Sequence, residues 1–290
     1  MDKVQLRDYF DMHYCQTTRI QRPIRRWLQA PRKAIEFTYI WRYFDLVSLL
    51  SLTATYIGLR SYHSGDAFRM RFFDSAYIRT WQPSDVQNVW NIFGGREYRV
   101  SSHDTQIIDI GANTGVFALY AAICAPKASI VAFEPVKDTY QKLCEQVIRS
   151  SLQDRIKCVP KGVAGISGKR QILIGQSHDT ASLYNLEVDG TDGDSTDKER
   201  IETLSLYSIY EEYVSGRLSL LKLDCEGAEW ELFETTPCEV WCATDRICLE
   251  YHMIDSQTPD LITQKLESTN MQLIWSCSRP NRTGILWFAR

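Results

Sequence analysis

The chain has 290 residues, 44% hydrophobic and 24% charged, with a net charge of −3. That length and composition support a full buried core, which excludes a disordered chain, a collagen-like fibre and a disulfide-stapled miniprotein. The mild acidity excludes a globally basic nucleic-acid coat. The charge is uneven, however: residues 1–60 hold ten Lys/Arg against five Asp/Glu, a local +5 that leaves −8 for the remainder. Nine cysteines without regular spacing read as free thiols in a reducing, cytoplasmic compartment, and Cys238 and Cys242 lack the second pair that a zinc site needs. The chain opens without an apolar leader, and the apolar stretch from Leu46 to Leu59 is shorter than a ~20-residue membrane span.

In chain order, residues 1–65 read as an N-terminal helical extension. Arg19, Arg22, Arg25, Arg26, Arg32 and Lys33 cluster around Trp27, punctuated by Pro23 and Pro31. Two readings stay open: helices with a solvated basic face, or a segment at residues 19–33 that contacts an anionic membrane peripherally. Residues 66–290 read as the main domain. It opens on "DAFRMRFF" and "SAYIRTW", whose alternation predicts a β-hairpin. "PSDVQNVWNIF" follows as a short helix capped by Ser84 and ended by Gly94-Gly95.

From residue 104 short apolar strands alternate with helices. "TQIIDI", "ASIVAFE", "RIKCVP", "LSLLKLD" and "DRICLEYH" are strands, with helices at "TGVFALYAAICA", "VKDTYQKLCEQVIRS" and "PDLITQKLES". The pattern predicts an α/β fold, a doubly wound and mostly parallel sheet covered on both faces. The terminal strands "MQLIWSC" and "GILWFAR" are close enough for a hairpin, so an antiparallel edge strand is expected. The insertion between the third and fourth core strands carries a possible hairpin, "RQILIGQ" with "ASLYNLEV", and a loop of turn-formers and carboxylates, "DGTDGDSTDKE".

The strongest motif is Asp109-Ile110-Gly111-Ala112-Asn113-Thr114-Gly115, after a strand and before a helix. Glycine there permits a sharp turn and close backbone approach to a ligand. Glu134 ends the next strand, where a carboxylate can accept hydrogen bonds from both hydroxyls of a ribose. Asn113 replaces the second glycine of a pyrophosphate loop, and Asp109 would repel phosphates. Both features argue against a nicotinamide-dependent oxidoreductase and favour a ligand with an amino group and a sulfonium cation, S-adenosyl-L-methionine. An apolar slot for adenine with a backbone partner is expected at Lys161-Gly162-Val163.

"IIDIGANTGVFALYAA", "VAFEP" and "LLKLDCEGAEWELFE", in this order, resemble the FkbM-type family of class I methyltransferases, and "LEYH" and the upstream "REY" fit as well. The resemblance covers residues 66–290. It implies a Rossmann-like seven-stranded sheet, S-adenosylmethionine as cofactor, and O-methylation of a small-molecule or glycan-like acceptor. It adds Tyr98 and Pro135 to the cofactor residues Asp109, Gly111, Asn113, Gly115, Glu134, Gly162, Val163 and Asp224. One departure is Leu204-Ser205, where the family has a Leu-Asp pair.

An alcohol acceptor needs its proton removed. Asp224 and Glu226 follow the fourth core strand and Glu250 and His252 the fifth, with His252 the first choice of base, because an imidazole ordinarily titrates near neutrality, and Asp224 its competitor. Glu226 and Glu229 read as helix-start carboxylates. Asp224, Glu226, Glu250 and His252 could instead hold a hard cation, although no metal site is assigned. A catalytically silent module that keeps the cofactor fold for partner binding is the alternative from another class.

Overall fold

The computed structural model describes residues 33–71, 77–174, 181–182, 197–254, 257–279 and 282–290. Two compact units divide the chain, Met1–Glu97 and Tyr98–Arg290. The basic cluster around Trp27, apart from Lys33, lies outside the described residues, as does most of the carboxylate-rich loop, at 189–196.

In the first unit residues 33–40 are helical, followed by α1 (Leu46–Tyr56). Asp45 caps α1, its Oδ1 accepting from the Ser48 amide at 2.8 Å. The expected hairpin is present as β1 (Ala67–Arg69) and β2 (Tyr77–Arg79), antiparallel with Phe68 opposite Ile78. Helix α2 (Pro83–Val89), with Gln82 as its N-cap, starts two residues earlier than the expected Ser84 cap implies. Pro83 occupies the first turn, where its missing N–H costs nothing, and Asp85 accepts from the amides of Trp81 and Gln82. The chain then widens into a π-turn at Trp90–Gly94.

The second unit is a seven-stranded sheet. Its strands are β3 (Gln106–Ile110), β4 (Ser129–Phe133), β5 (Ile156–Val159), β10 (Leu220–Leu223), β11 (Arg246–His252), β12 (Gln272–Ser278) and β13 (Thr283–Ala289), in the order β12-β13-β11-β10-β3-β4-β5. The five from β11 to the edge strand β5 are parallel. The expected antiparallel strand is β13, and it lies one place in from the edge, between β11 and β12. A separate small sheet holds β6 (Gly162–Val163), β7 (Gly168–Ile174), β8 (Ala181–Ser182) and β9 (Asp197–Leu204). There the insertion hairpin is realised as β7–β8, while β9 joins β6 in parallel, a long-range pairing that no local pattern announces.

Alternation along the strands sorts side chains to the two faces. Ile108, Ile110, Leu221, Leu223, Ile247 and Leu249 share one cluster with Leu206 and Ile209 of α5 (Leu206–Tyr213), Trp230 and Leu232 of α6 (Glu229–Thr235), Trp241 of α7 (Cys238–Cys242) and Ile262 of α8 (Pro259–Glu267). The strand residues between them turn to the opposite face, where Lys222 lies over Phe117. After β3 the chain first builds outward through β4 and β5, then crosses to the other side of β3 to form β10 and β11. That reversal places a crevice at the carboxyl ends of β3, β4 and β10, the position where doubly wound sheets bind ligands.

Candidate active site

The glycine loop leaves β3 at Ile110. Gly111 has φ +71°, and a Cβ there would lie 1.8 Å from the carbonyl oxygen of Asp224. This glycine is required first by the backbone crossing beneath it, before any ligand is considered. The amides of Gly111 and Ala112 both donate to the Phe133 carbonyl, at 3.1 and 2.9 Å. Asn113 adopts φ +49°, and its Oδ1 accepts from the Thr114 amide at 2.6 Å, a local bond that suits asparagine to the left-handed region. Gly115 has φ +88°, which disfavours any side chain, and a Cβ there would also press on Leu143 Cδ1 of the helix Lys137–Arg149, 2.7 Å away.

A cleft opens at these strand ends. Of the predicted cofactor residues, Gly111, Asn113, Glu134, Pro135, Gly162, Val163 and Asp224 line it. Ile110, Phe133, Val136, Ile172 and Ile201 supply an apolar wall, and Cys225 and Glu226 close the rim beside Asp224. Glu134 is 6% exposed, and its two oxygens accept from the amides of Asn113 and Val136 at 3.0 and 2.9 Å. Burial outweighs these bonds and pushes its carboxyl up to about 7.

Three predicted cofactor residues lie outside the cleft lining. Gly115 serves the packing of the helix Lys137–Arg149. Asp109 is fully buried and is the cross-strand neighbour of Lys222. The Lys222 ammonium sits 3.1 Å from Asp109 Oδ1 and 3.5 Å from Asp224 Oδ2, and donates to the Gly111 carbonyl at 2.7 Å. Burial works against its charge, but the two aspartates outweigh that and raise its pKa. Asp109 is raised by burial, which the lysine offsets only in part. Tyr98, the third, is buried and donates through its hydroxyl to Asp224 Oδ2 at 3.3 Å. Sequence reasoning assigned Lys222 no role; the available signal was a lysine inside an otherwise apolar strand.

Among the catalytic candidates only Asp224 lines the cleft directly. Glu250 forms an ion pair with Arg279. His252 is 7% exposed, with Nε2 3.2 Å from Glu226 Oε2 and Nδ1 3.4 Å from Glu229 Oε1. Burial favours the neutral ring, but Glu229 and Glu226 outweigh it and push His252 up to about 10. A ring held charged at neutral pH has no lone pair for an acceptor's proton. Glu229 opens α6 as expected, yet its carboxylate turns back to accept from the amides of Cys225 and Gly227. Glu226 follows β10, as the sequence placed it, but lies outside the helix at φ +51°; burial pushes its carboxyl up to about 8, and it lines the cleft rim. Ser205, the departure noted in the sequence, caps α5 by accepting from the Ser208 amide, a role that aspartate also fills. Among the described residues no group of three or more His, Cys, Asp or Glu is arranged to hold a metal ion.

The chain matches the Methyltransferase FkbM domain over residues 109–270. It is similar to Methyltransferase sdnD of Sordaria araneosa, 27% identical over 168 residues, which are 50% of this chain and 65% of that protein. A shorter match, 48% identical over 40 residues, falls in AMB antimetabolite synthetase AmbE of Pseudomonas aeruginosa and covers 14% of this chain and 2% of that one. Thus the matches span less than two thirds of each of these relatives. A putative rRNA methylase structure from Clostridium thermocellum aligns with a TM-score of 0.42 at 9% identity, over 71% of this chain and 94% of that one. By its match over more than half its length, the chain belongs to the FkbM methyltransferase domain family, whose methyl donor is S-adenosylmethionine.

Proposed function

We propose that the protein transfers a methyl group from S-adenosylmethionine to a hydroxyl of a small-molecule or glycan-like acceptor. The observation that carries this reading is one cleft in which Glu134, at the end of β4, shares the space around the Gly111 loop with Asp224 and Glu226, at the end of β10. The donor set fits the cofactor's chemistry. Glu134 would accept from the ribose hydroxyls, and the wall of Val136, Ile172 and Ile201 beside Gly162 and Val163 would take the adenine. Asp224 would face the amino group. Gly162 matters sterically: a Cβ there would lie 2.8 Å from Ile201 Cδ1 and press on this wall. When bound, the cofactor supplies a methyl carbon made electrophilic by a sulfonium. The chain's own part is to orient the acceptor, exclude water and receive its proton.

Titration calorimetry with S-adenosylhomocysteine and with NAD tests the cofactor. Micromolar binding of the first and none of the second is expected, and the reverse preference would overturn the reading. Release of S-adenosylhomocysteine in the presence of hydroxylated glycosides, catechols and hydroxy acids then tests the acceptor class. Methylation of amines alone would replace hydroxyl by amine.

The basic residues at 19–33 support a peripheral contact with anionic membrane from a cytoplasmic position. Among the described residues no helix is long and apolar enough to cross a membrane. Co-sedimentation of the full chain with phosphatidylserine vesicles at low salt, lost at high salt, is the expected result. No co-sedimentation at low salt would leave the solvated basic face.

A further inference from the structure

The rim of the cleft beside Asp224 carries a carboxylate whose placement is unusually well determined. Glu226 is a non-glycine residue in the left-handed region, at φ +51°, and Gly227 follows at φ +102°. Such backbone persists only where its surroundings enforce it. Here they do: the amides on either side, of Cys225 and Gly227, donate to the two oxygens of buried Glu229 at 3.0 and 2.8 Å. The side chain is held as well, with Oε2 3.2 Å from His252 Nε2, while the other ring nitrogen lies 3.4 Å from Glu229 Oε1. His252 is fixed in turn by its strand, since Trp230 Nε1 donates to its carbonyl. One buried imidazole therefore bridges the carboxylate that shapes the turn and the carboxylate that the turn presents to the cleft.

Resting on the methyl-transfer reading above, we propose that Glu226 is the general base that takes the acceptor's hydroxyl proton, and that His252 is its positioning residue. In the step, the acceptor's O–H bond breaks and its proton adds to a carboxylate oxygen of Glu226. The freed electron pair forms the oxygen–carbon bond to the methyl group. The carbon–sulfur pair returns to sulfur, which is left a neutral thioether. Among the described residues, the charged groups that bear on its proton affinity include Asp224 from its own loop, Glu229 from α6, and His252 and the Arg279-paired Glu250 from β11. Burial and Asp224 push it up to about 8, His252 opposes them, and the outcome is a base matched to near-neutral operation. The same arrangement explains a histidine that is close to the chemistry yet charged. It restrains the carboxylate's proton affinity and aims it without accepting the proton.

Two measurements test this on the full chain. The first needs no acceptor: the ring nitrogens of His252 are followed by ¹⁵N NMR from pH 5 to 9 in the wild type and in Glu226→Gln. The expected result is a ring that stays charged throughout in the wild type and titrates at lower pH in the variant. A wild-type ring titrating near its ordinary 6.5, or one indifferent to Glu226→Gln, would overturn the proposal. The second follows S-adenosylhomocysteine release with the best hydroxylated acceptor of the screen above. Glu226→Gln should lose about 10²–10⁴-fold in turnover while binding S-adenosylhomocysteine within about threefold of wild type, the base having no part in holding the cofactor. His252→Gln should move the acid limb of the rate profile to higher pH, because the cation that restrains Glu226 is gone. Near-full turnover in Glu226→Gln with normal cofactor affinity overturns the inference alone, whereas a wild type that binds no S-adenosylhomocysteine overturns the methyltransferase reading beneath it.

Discussion

Glu134 offers the sharpest test of the proposed cofactor site. In the free protein its oxygens accept from the amides of Asn113 and Val136 at 3.0 and 2.9 Å, its burial is nearly complete, and its carboxyl is pushed up to about 7. Glu134→Gln keeps the shape but removes the charge and one acceptor oxygen. A hydrogen bond to a charged group contributes about 1.5–3 kcal/mol, so affinity for S-adenosylhomocysteine should fall about tenfold to a hundredfold. The raised proton affinity adds a pH signature. Ribose hydroxyls donate to the ionised form, so below about pH 7 binding must first release a proton, and at pH 6 the wild type should bind about tenfold more weakly than on its plateau. The sign for stability follows from the same shift. The folded carboxyl holds its proton more tightly than the unfolded one, so stability is fully present below about pH 4.5 and declines as pH rises through about 7, by about 3 kcal/mol in all. Both dependences should flatten in Glu134→Gln. Calorimetry from pH 5.5 to 8.5 in buffers of different ionisation enthalpy reads affinity and proton release together. A folded variant with unchanged affinity, or a wild type whose affinity is flat across that range, would refute the reasoning.

Three further variants probe the scaffold. Gly111→Ala places a Cβ against the Asp224 carbonyl, 1.8 Å away, and should lose about 3 kcal/mol or more of stability by chemical denaturation; a variant as stable as wild type would contradict the crossing described. Gly115→Ala meets Leu143 Cδ1 at 2.7 Å and should cost about 1–3 kcal/mol. Combined with Leu143→Ala, its cost should be smaller than in the wild-type background, and strict additivity would show that the contact is not the cause. Lys222→Met leaves Asp109 buried without its cation and should cost about 3–5 kcal/mol, much of it restored by adding Asp109→Asn. A double variant no better than the single one would place the lysine's value in its bond to the Gly111 carbonyl.

Much of this architecture was legible along the chain. The apolar runs "IIDI", "IVAF" and "LLKL" between amphipathic helices dictate buried parallel strands, because only strands covered on both faces tolerate such continuous apolarity. The glycine loop and Glu134 were legible as strand ends from the same local pattern, but what makes Gly111 obligatory, the Asp224 carbonyl beneath it, is not local. Facing relations across strands were not. Lys222 meets Asp109 because β10 and β3 are paired in register 113 residues apart, and that pairing draws Asp109 out of the cleft and into a buried ion pair. His252 reads as a base in isolation, and becomes a cation only when folding sets Glu226 and Glu229 at its two nitrogens. Local spacing thus sufficed for the parallel core strands and the position of the glycine loop, whereas the β6–β9 pairing and the proton affinities depend on burial and on groups brought together from distant segments, which nothing local encodes.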